Sequence, residues 1–349
     1  MPLVSMIPVE RIECCLLCQG PGSVLYEGLN DRLYGVPITC GYAWCRDCGL
    51  VWLDPRPTPQ ALGACYPAYK PHQAKPTAPA ARRFGPLRDA LRGSILAAGK
   101  NYPAGKCPAI LLSLGKVLNL LPQARHMASF GYSELVHPFV PAGKLLEIGC
   151  GAGAYLGLMQ RLGWDVRGVD FSPMAAETAR KAHGVDGFVG RLQDAGHESS
   201  SFDAVSMNHA IEHIDDLPIL LNECLRVLKP GGRLVLTTPN LKSLAHRIFG
   251  RDWLALDSPR HLWVFSSTTL GRIVERAGFS VHEVSSRVSL AAYIFDLSLQ
   301  IRRNGVADES RLVPGSSRAG RIFAGLERLL LPVFPGCAEE LMLVAVKPV

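Results

Sequence analysis

The sequence predicts an α/β fold built on a parallel sheet, preceded by a small cysteine-rich module. From Gly143 onward, short apolar runs alternate with helix-like stretches, which is typical of strands and helices that follow one another in such a sheet. Three closely spaced glycines come directly after the first of these runs. Eight of the eleven cysteines lie before residue 110, and this count indicates a separate module at the N-terminal end.

Composition excludes several classes of protein. The chain has 349 residues, of which 48% are hydrophobic and 19% charged, so a large core can form and global disorder is excluded. No run of about 18 uncharged apolar residues occurs, so a membrane-spanning helix is not expected. The first residues lack a basic stretch followed by an apolar one, which argues against a secretory signal and predicts a cytoplasmic location.

The chain divides into three zones by composition. Residues 1–68 are rich in Cys, Gly and Pro and predict the small module. Residues 69–130 form a basic, proline-rich linker with short helices, in which ten Lys or Arg residues between 69 and 126 face one acid, Asp89. Residues 131–349 form the α/β domain, with an apolar helical insert at about 288–338.

Each element of the α/β domain has a local signal. Apolar runs predict strands, and a Ser-Pro pair at Ser172 predicts a helix that begins at Pro173. Gly278 predicts the end of the last helix. The predicted strands are 144–148, 165–170, 187–189, 202–207, 233–237, 280–285 and 341–347, and the predicted helices are 154–162, 173–181, 217–228 and 268–277.

The glycine-rich turn predicts a nucleotide site. Leu146 to Gly153 places three glycines between a strand and a helix, where a ligand can approach the backbone and free N–H groups face an anion. Asp170, at the tip of the next strand, can accept hydrogen bonds from a ribose. Because an acid about 20 residues after such a turn also marks dinucleotide sites, this pattern alone leaves NAD as an alternative.

Further segments resemble one family. Phe202-Asp203-Ala204-Val205, then residues 208–213 (Asn-His-Ala-Ile-Glu-His), then residues 226–232 (Arg-Val-Leu-Lys-Pro-Gly-Gly) are similar to class I S-adenosylmethionine (SAM) dependent methyltransferases. The resemblance extends from about Gly143 to Phe279. It implies a Rossmann-like seven-stranded methyltransferase sheet with an antiparallel last strand, which 341–347 would supply.

The resemblance also implies the cofactor contacts. It places Glu147, Gly149, Gly151 and Gly153 around the methionine part of SAM. Two further expected cofactor contacts are Cys150, in the same turn, and Asn208, after the fourth strand. Asp170 would hold the ribose and Phe171 would flank the adenine. Leu192 and Gln193 would meet the edge of the adenine, although many relatives carry an acid at Arg191 or Gln193.

Methyl transfer to oxygen or carbon needs a base near the acceptor, and histidine is the commonest choice. His209, Glu212 and His213 come directly after the fourth strand. Residues 259–266 (Pro-Arg-His-Leu-Trp-Val-Phe-Ser) resemble a stretch that walls the acceptor pocket in a subset of these enzymes. The expected catalytic residues are therefore His209, His261 and His213, while helix capping and core packing remain the alternative roles for these side chains.

The cysteine-rich module predicts a metal site. Cys15 and Cys18 form one Cys-x-x-Cys pair, and Cys45 and Cys48 form another. Two such pairs can close a tetrahedral thiolate site around Zn²⁺, so we expect a structural, zinc-ribbon-like module. Cys14 competes with Cys15 for the first position. The alternatives are a redox-active cysteine pair and a module without metal. This module, with the pair Tyr66 and Tyr69 after it, resembles the N-terminal zinc knuckle of a subset of these methyltransferases.

The basic linker carries a helical apolar stripe, formed by Ile110, Leu114, Val117, Leu118 and Leu121. The favoured interpretation is a solvated linker whose stripe packs over the acceptor pocket. The alternative is a peripheral contact with an anionic membrane or a phosphorylated carrier. The apolar insert is interpreted as a lid or a lipid-facing surface. Nucleic acid is not an expected partner, because no base-reading motif accompanies the basic zone.

These observations predict a SAM-dependent methyltransferase with structural Zn²⁺. Its acceptor would be a hydroxyl or activated carbon of a small or carrier-linked molecule, such as a sugar, a quinone or a secondary metabolite. Two hypotheses from other classes remain: a catalytically inactive zinc-ribbon and methyltransferase-like binding scaffold, and an oxidoreductase that binds NAD in the same turn.

Overall fold

A computed structural model describes residues 7–67, 85–103, 108–121, 124–125, 128, 132, 135–308 and 317–349. The chain folds into two compact units, each assembled from separate stretches of sequence. The first unit comprises residues 1–69, 208–225 and 236–348, and the second comprises 70–207, 226–235 and 349. The proposed boundaries at 68 and 130 stay a prediction. Tyr69 and Cys107 lie outside the described residues.

The cysteine-rich module is made of short antiparallel strands. They are β1 (Val9–Glu10), β2 (Gly22–Asn30), β3 (Thr39–Cys45), β4 (Val51–Leu53) and β5 (Arg56–Pro57). β3 lies between β2 and β4, and β1 pairs with β5. Gly22 lies opposite Cys45 in the register of β2 and β3, so the ends of this hairpin lie beside the cysteine pairs.

Two helices of the linker pack as a hairpin in the second unit: α1 (Gly85–Lys100) and α2 (Ala109–Leu118). Gly115 of α2 lies against Ser94 of α1, where an added Cβ would come within 2.6 Å of the Ser94 carbonyl. The prediction that the apolar stripe of this region packs over the acceptor pocket is wrong for four of its side chains, which lie exposed: Ile110, Leu114, Val117 and Leu121. The helix buries its small glycine face instead.

The α/β domain follows in the expected order. It contains β6 (Lys144–Ile148), α3 (Ala154–Arg161), β7 (Asp165–Asp170), α4 (Pro173–His183), β8 (Gly187–Val189), β9 (Phe202–Asn208), α5 (Leu217–Val227), β10 (Leu228–Pro239), α6 (Leu244–Phe249), β11 (Trp263–Val264), α7 (Ser267–Arg276), β12 (Ser280–Arg287), α8 (Ala291–Asn304), α9 (Arg318–Leu330) and β13 (Glu340–Val346).

Seven of these strands form one mixed sheet in the order β12-β13-β10-β9-β6-β7-β8. β6 pairs in parallel with both β7 and β9, and β7 pairs in parallel with β8. The last strand, β13, runs antiparallel to β12. The glycine-rich turn follows β6 at the centre of this parallel region, as ligand sites in open α/β sheets do.

Most element boundaries agree with the sequence. β6 and β7 have the predicted bounds, and Ser172 caps α4 by accepting a hydrogen bond from the N–H of Ala175. The apolar insert resolves into two helices, α8 and α9. The small strand β11 joins the sheet of the cysteine-rich module by pairing with β4, which the sequence did not predict. Among the described residues, no helix has the length and apolarity to cross a bilayer.

Candidate functional site

The glycine-rich turn leaves β6 with three backbone positions in the left-handed region. Gly149, Gly151 and Gly153 have φ of 72°, 50° and 74°. Gly153 also packs closely on α4, where an added Cβ would lie 2.7 Å from the Cβ of Ala179. A side chain at Gly153 is therefore excluded both by the backbone conformation and by the neighbouring helix.

Asp170 joins the tip of β7 to this turn. One oxygen of its buried carboxylate, Oδ2, accepts a hydrogen bond of 2.8 Å from the N–H of Gly151. The other oxygen, Oδ1, accepts one of 2.9 Å from the N–H of Ser172. Each oxygen keeps a further lone pair, so the carboxylate can still accept from a ligand hydroxyl. Burial raises the pKa of Asp170, and the two backbone hydrogen bonds oppose this rise.

Glu147 offers the turn an unsatisfied carboxylate oxygen. Its side chain is buried on β6, and Oε2 has no hydrogen-bond partner among the described residues. Burial raises the pKa of Glu147 well above its usual value, and the charge of Asp170 adds to this effect. A buried carboxyl group without a partner is costly for the free protein, so this oxygen fits a cationic ligand group such as the α-ammonium of SAM.

A polar network beside Glu147 was missed by the sequence analysis. Ser206 lies opposite Glu147 in the register of β9 and β6. Its hydroxyl oxygen is 3.0 Å from the Tyr155 hydroxyl and 2.8 Å from Nε2 of the buried His137. Tyr155 also donates to the carbonyl of Leu135 at 2.6 Å. No local pattern marks these residues as polar partners, because they come from separate elements.

The remaining predicted cofactor residues differ in exposure. Phe171 is half exposed and Gln193 is exposed, so both side chains are accessible to a ligand. Leu192 is buried, and the thiol of Cys150 packs against Gly168 of β7, where an added Cβ would lie 2.7 Å from the sulfur. Cys150 therefore presents its backbone, and not its thiol, at the turn.

In the first unit, His209 lies between two carboxylates. Its Nε2 is 2.7 Å from Glu340 Oε1, and its Nδ1 is 3.3 Å from Glu212 Oε1. Burial by itself lowers the pKa of His209, but the hydrogen bonds and charges of Glu212 and Glu340 outweigh it and raise the pKa to about 10. His209 is therefore a cation at neutral pH, with both ring nitrogens acting as donors.

Asn208, a predicted SAM contact, is the last residue of β9 and directly precedes His209. The side-chain oxygen of Asn208 accepts a hydrogen bond of 2.7 Å from the Thr237 hydroxyl. The backbone of His209 has φ of 50° and donates its N–H to the Thr237 carbonyl at 3.1 Å. A non-glycine residue in this region is strained, and such strain persists where the surroundings fix the conformation. The two bonds to Thr237 fix the start of the segment 208–213.

His213, His261 and Glu212 form a second cluster in the first unit. One ring nitrogen of each histidine and a Glu212 oxygen lie within 4.8 Å of one another, and the two rings meet edge to face with centroids 4.6 Å apart. Nδ1 of His261 donates to the Ala255 carbonyl at 2.8 Å, and Nδ1 of His213 lies 3.1 Å from the Arg260 carbonyl. Because a carbonyl only accepts, Nδ1 is the donor in each pair, which leaves Nε2 as the ring nitrogen that can act as an acceptor or as a metal ligand.

Burial keeps His213 neutral, although the charges of Glu212 and Asp257 oppose this effect. Burial lowers the pKa of His213 to about 4, and the neighbouring His261 acts in the same direction. Burial alone would raise the pKa of Glu212, but the hydrogen bond and charge of His209 lower it to about 2. Glu212 is thus an anion that also accepts from the Thr238 hydroxyl at 3.0 Å. His213 can accept a proton at neutral pH, whereas His209 already holds one.

A buried ion cluster positions the segment that carries His261. The guanidinium of Arg260 donates to both Asp31 oxygens at 2.9 Å and to Asp257 Oδ2 at 3.0 Å. Tyr66, from the cysteine-rich module, places its hydroxyl 3.0 Å from His213 Nδ1. Arg260 belongs to the stretch that the resemblance pointed to, but its partner Asp31 lies 229 residues away and had no signal in the sequence.

Four cysteines converge at one end of the cysteine-rich module. Cys15 Sγ lies 3.4 Å from Cys48 Sγ, and Cys18 Sγ lies 3.3 Å from Cys45 Sγ. All four sulfurs lie within 4.8 Å of one another, and this cluster contains Cys15 and not Cys14. Four thiolates at these separations match the ligand type and number of a closed tetrahedral Zn²⁺ site.

The two cysteine pairs repeat one backbone pattern. Cys15 donates its N–H to the Gly20 carbonyl, and Gln19 donates to the Cys15 carbonyl, both at 2.9 Å. In the second pair, Cys45 donates its N–H to the Leu50 carbonyl and Gly49 donates its N–H to the Cys45 carbonyl, again at 2.9 Å. Burial raises the pKa of Cys15, whereas hydrogen bonds from backbone and thiol groups outweigh burial at Cys45 and lower its pKa to about 7. Two matched turns thus present their sulfurs to one point.

Comparison with known proteins shows what the central part of the chain is similar to. Residues 123–284 match a family described as a methyltransferase domain. The chain is 36% identical over 126 residues to the ubiquinone biosynthesis O-methyltransferase of Xanthomonas oryzae pv. oryzae (strain PXO99A), covering 34% of this chain and 52% of that protein. It is 33% identical over 156 residues to the mitochondrial ubiquinone biosynthesis O-methyltransferase of Homo sapiens, covering 40% and 42%.

Among solved structures, the complex between the Haloferax volcanii Trm112 methyltransferase activator and the putative methyltransferase aligns with a TM-score of 0.45 at 20% identity, covering 67% of this chain and 95% of that one. The chain spans about half the length of the first curated relative. The matched segment contains the glycine-rich turn, Asp170, the histidine segment and the strands β6 to β10 of the seven-stranded sheet. The chain therefore carries a methyltransferase domain over residues 123–284.

Proposed function

We propose that this chain transfers the methyl group of SAM to a hydroxyl of a small acceptor. The observation that carries the proposal is that Glu147 Oε2 is buried and has no hydrogen-bond partner among the described residues. Glu147 directly precedes the glycine-rich turn, and Asp170 is hydrogen-bonded to the same turn at Gly151. A carboxylate suits the ammonium of the methionine part, and a second carboxylate at the tip of the adjacent strand suits ribose hydroxyls. The family match supports the same cofactor.

The residues of the turn bind and orient the cofactor. When bound, SAM supplies a methyl group on a positively charged sulfur, so the acceptor oxygen forms the new bond while the carbon–sulfur bond breaks and its electron pair stays on sulfur. Glu147 would hold the ammonium and Asp170 the ribose, and the exposed side chains of Phe171 and Gln193 would be accessible to the adenine. Such positioning removes about 7–11 kcal/mol of a barrier of this kind.

His213 and His261 are the candidates for the base. Each has an Nδ1 bonded to a carbonyl and an Nε2 that can accept the proton of the acceptor hydroxyl. His213 is neutral at physiological pH because of its low pKa. We assign His209 a different role from the base that the sequence suggested, namely a fixed positive charge that holds Glu212 and Glu340 in place.

The acceptor class follows from the relatives. The two curated relatives are named ubiquinone biosynthesis O-methyltransferases, which supports a phenolic or quinone-like acceptor with oxygen as the methylated atom. The alternative that the domain is an inactive scaffold predicts binding without transfer. Purified protein, labelled SAM and a panel of catechols separate the two, since a scaffold would leave every catechol unlabelled.

We also propose that the four-cysteine cluster binds one structural Zn²⁺. All four positions of a tetrahedral ion would be taken by Cys15, Cys18, Cys45 and Cys48, so no position is left for a substrate. Zinc thiolates are stable in a reducing compartment, which agrees with a cytoplasmic location.

Calorimetric titration with S-adenosylhomocysteine tests the cofactor site. We expect binding to the unmodified protein and none to Asp170→Ala or Gly151→Val, because the first removes the ribose acceptor and the second forces a β-branched side chain into a left-handed position. Lys181→Ala, on the exposed face of α4, is the matched control. Equal heats for all four proteins would overturn the proposal, as would stabilisation by NAD in place of the SAM product.

A further inference from the structure

The helix α9 uses one of its faces to pack on α8. Phe323 stacks on Phe295 with ring centroids 4.6 Å apart, and Ala324 beside it is buried. Gly320 brings the two helices into close contact, since an added Cβ there would lie 2.6 Å from the Ala292 carbonyl. This inner face accounts for the position of the helix in the first unit, and it leaves the opposite face free of any packing role.

The opposite face of α9 is apolar and open. Ile322, Leu326 and Leu329 recur at helical spacing, and Val333 and Phe334 continue the stripe beyond the helix. Their exposed fractions are 64%, 44%, 74%, 70% and 58% in that order. We call these five side chains the α9 outer face. Single exposed apolar residues are ordinary, but a continuous stripe of five marks an interaction surface.

The exposed charges in the segment that carries the α9 outer face, residues 317–336, are all positive. Between residues 317 and 336 the sequence has three arginines, Arg318, Arg321 and Arg328, and each is exposed. The single acid in this stretch, Glu327, is fully buried on the inner face. A partner for this surface must therefore offer apolar area together with negative charge.

A second copy of the chain does not meet this requirement. In a symmetric dimer the same patch lies on both sides of the interface, so Arg318 and Arg328 would meet a second copy of residues 317–336, whose one acid, Glu327, is buried. The surface of an anionic membrane offers both features, because hydrocarbon lies beneath a layer of phosphates. Helices with an apolar stripe and arginines beside it lie in the plane of such a surface.

We propose that the α9 outer face docks the protein on an anionic lipid surface. Leu326, Leu329 and Phe334 would enter the boundary between headgroups and acyl chains, while Arg318 and Arg328 would bind lipid phosphates. The contact is peripheral, since α9 has 13 residues and is too short to cross a bilayer. The proposal does not depend on the methyl acceptor or on the base, so it can hold or fail separately from the proposed function.

Co-sedimentation of the full chain with vesicles tests the proposal. We expect the protein to bind vesicles that contain about one third phosphatidylglycerol, to bind pure phosphatidylcholine at least tenfold more weakly, and to be released by high salt. The double variant Leu326→Glu/Leu329→Glu should lower binding to the anionic vesicles at least tenfold. The variant Arg318→Gln/Arg328→Gln should reduce the preference for anionic over neutral vesicles.

Two controls make the result specific. Ile219→Glu/Ile248→Glu places the same charges at two other exposed isoleucines and should bind vesicles like the unmodified protein. Thermal melting checks that each variant is folded, which is expected because all these side chains are exposed. The proposal is overturned if the unmodified protein stays in the supernatant or if the α9 double variant still sediments. It is also overturned if size-exclusion chromatography shows a dimer that Leu326→Glu/Leu329→Glu dissociates, because a second copy would then cover this face.

Discussion

Nε2 of His209 lies 2.7 Å from Oε1 of Glu340, although 131 residues separate the two in sequence. This contact joins the residue after β9 to the first residue of β13, and Glu212 binds the other ring nitrogen. With a carboxylate on each nitrogen, the imidazole is held as a cation. The residue that the sequence offered as a candidate base is thereby better suited to a fixed charge that organises the segment 208–213.

The first prediction concerns the stability of this ion pair. The pKa of His209 is about 10 in the folded protein and about 6.5 in an unfolded chain. A raised pKa contributes stability that is fully present below pH 6.5 and is lost as the pH rises through 10. Glu340→Gln should therefore lower the free energy of unfolding by roughly 1–3 kcal/mol at pH 6, with the deficit shrinking towards pH 10. Urea denaturation at a series of pH values measures this difference.

Glu283→Gln is the matched control, because Glu283 lies exposed on the neighbouring strand β12. It should change the free energy of unfolding by less than about 0.5 kcal/mol at every pH. A deficit of Glu340→Gln that stays constant from pH 6 to pH 10.5 would contradict the assignment of a protonated His209.

The second prediction concerns the proton on Glu147. Burial holds the pKa of this carboxyl well above its usual value, so the free protein binds a proton more readily at this position than an exposed glutamate does. A ligand ammonium needs the ionised form, and its binding must lower that pKa and release protons. The affinity for SAM should then rise with pH, and calorimetry in buffers of different ionisation enthalpy should detect proton release.

Glu147→Gln keeps the shape of the side chain and removes its titration. We expect its affinity for SAM to fall at least tenfold at pH 8, with the proton release abolished. Asp203→Asn changes a carboxylate that binds Lys229 elsewhere in the same unit and should leave both quantities unchanged. Proton release that persists in Glu147→Gln would assign it to another group.

How far the sequence predicts the site depends on the range of the interactions. The sequence predicted the glycine-rich turn, Asp170 and the two cysteine pairs because their signals lie within a few residues or within one strand-to-helix unit. The choice of Cys15 over Cys14 needed the structure, since neighbouring residues point in different directions. The charge of His209 could not be predicted, because it depends on Glu340, which reaches the histidine only through the pairing of the closing strands.

The exposed stripe of α2 shows the same limit. Periodicity predicted an apolar helix face, and this part was correct, but periodicity does not say what covers such a face. α2 packs on α1 through another face, which contains Gly115 and is followed by Asn119. A Cβ added at Gly99 of α1 would lie within 3.0 Å of the Asn119 side chain. Amphipathic spacing therefore identifies a face that avoids water, and only the tertiary contacts show whether the chain itself buries it.

The third prediction separates the two candidate bases. His213→Asn and His261→Asn each remove one Nε2 acceptor, and loss of a general base lowers kcat by about 10²–10⁴-fold. We expect the larger loss for His213→Asn, with the affinity for SAM unchanged. Because the pKa of His213 is about 4, kcat of the unmodified protein should stay constant down to about pH 5 and fall as the pH approaches 4.

Tyr66→Phe serves as the comparison for this experiment. It removes the hydroxyl 3.0 Å from His213 Nδ1 but keeps the bond of that nitrogen to the Arg260 carbonyl. Its effect on kcat should be within about tenfold, since the tautomer is retained. If His261→Asn loses more activity than His213→Asn, then His261 is the base; if neither loses activity, the acceptor does not require a base from this cluster.

The fourth prediction uses two adjacent cysteines. Cys14 is exposed and Cys15 is buried in the four-sulfur cluster, so Cys14→Ser and Cys15→Ser make the same chemical change at neighbouring positions with opposite expectations. Elemental analysis of the purified protein should give one zinc per chain for the unmodified protein and for Cys14→Ser. Cys15→Ser and Cys45→Ser should lose the metal and melt at a lower temperature, because binding energy at such a site contributes directly to folding. Zinc retained in Cys15→Ser but lost in Cys14→Ser would reverse the assignment, and a metal-free unmodified protein would refute the site.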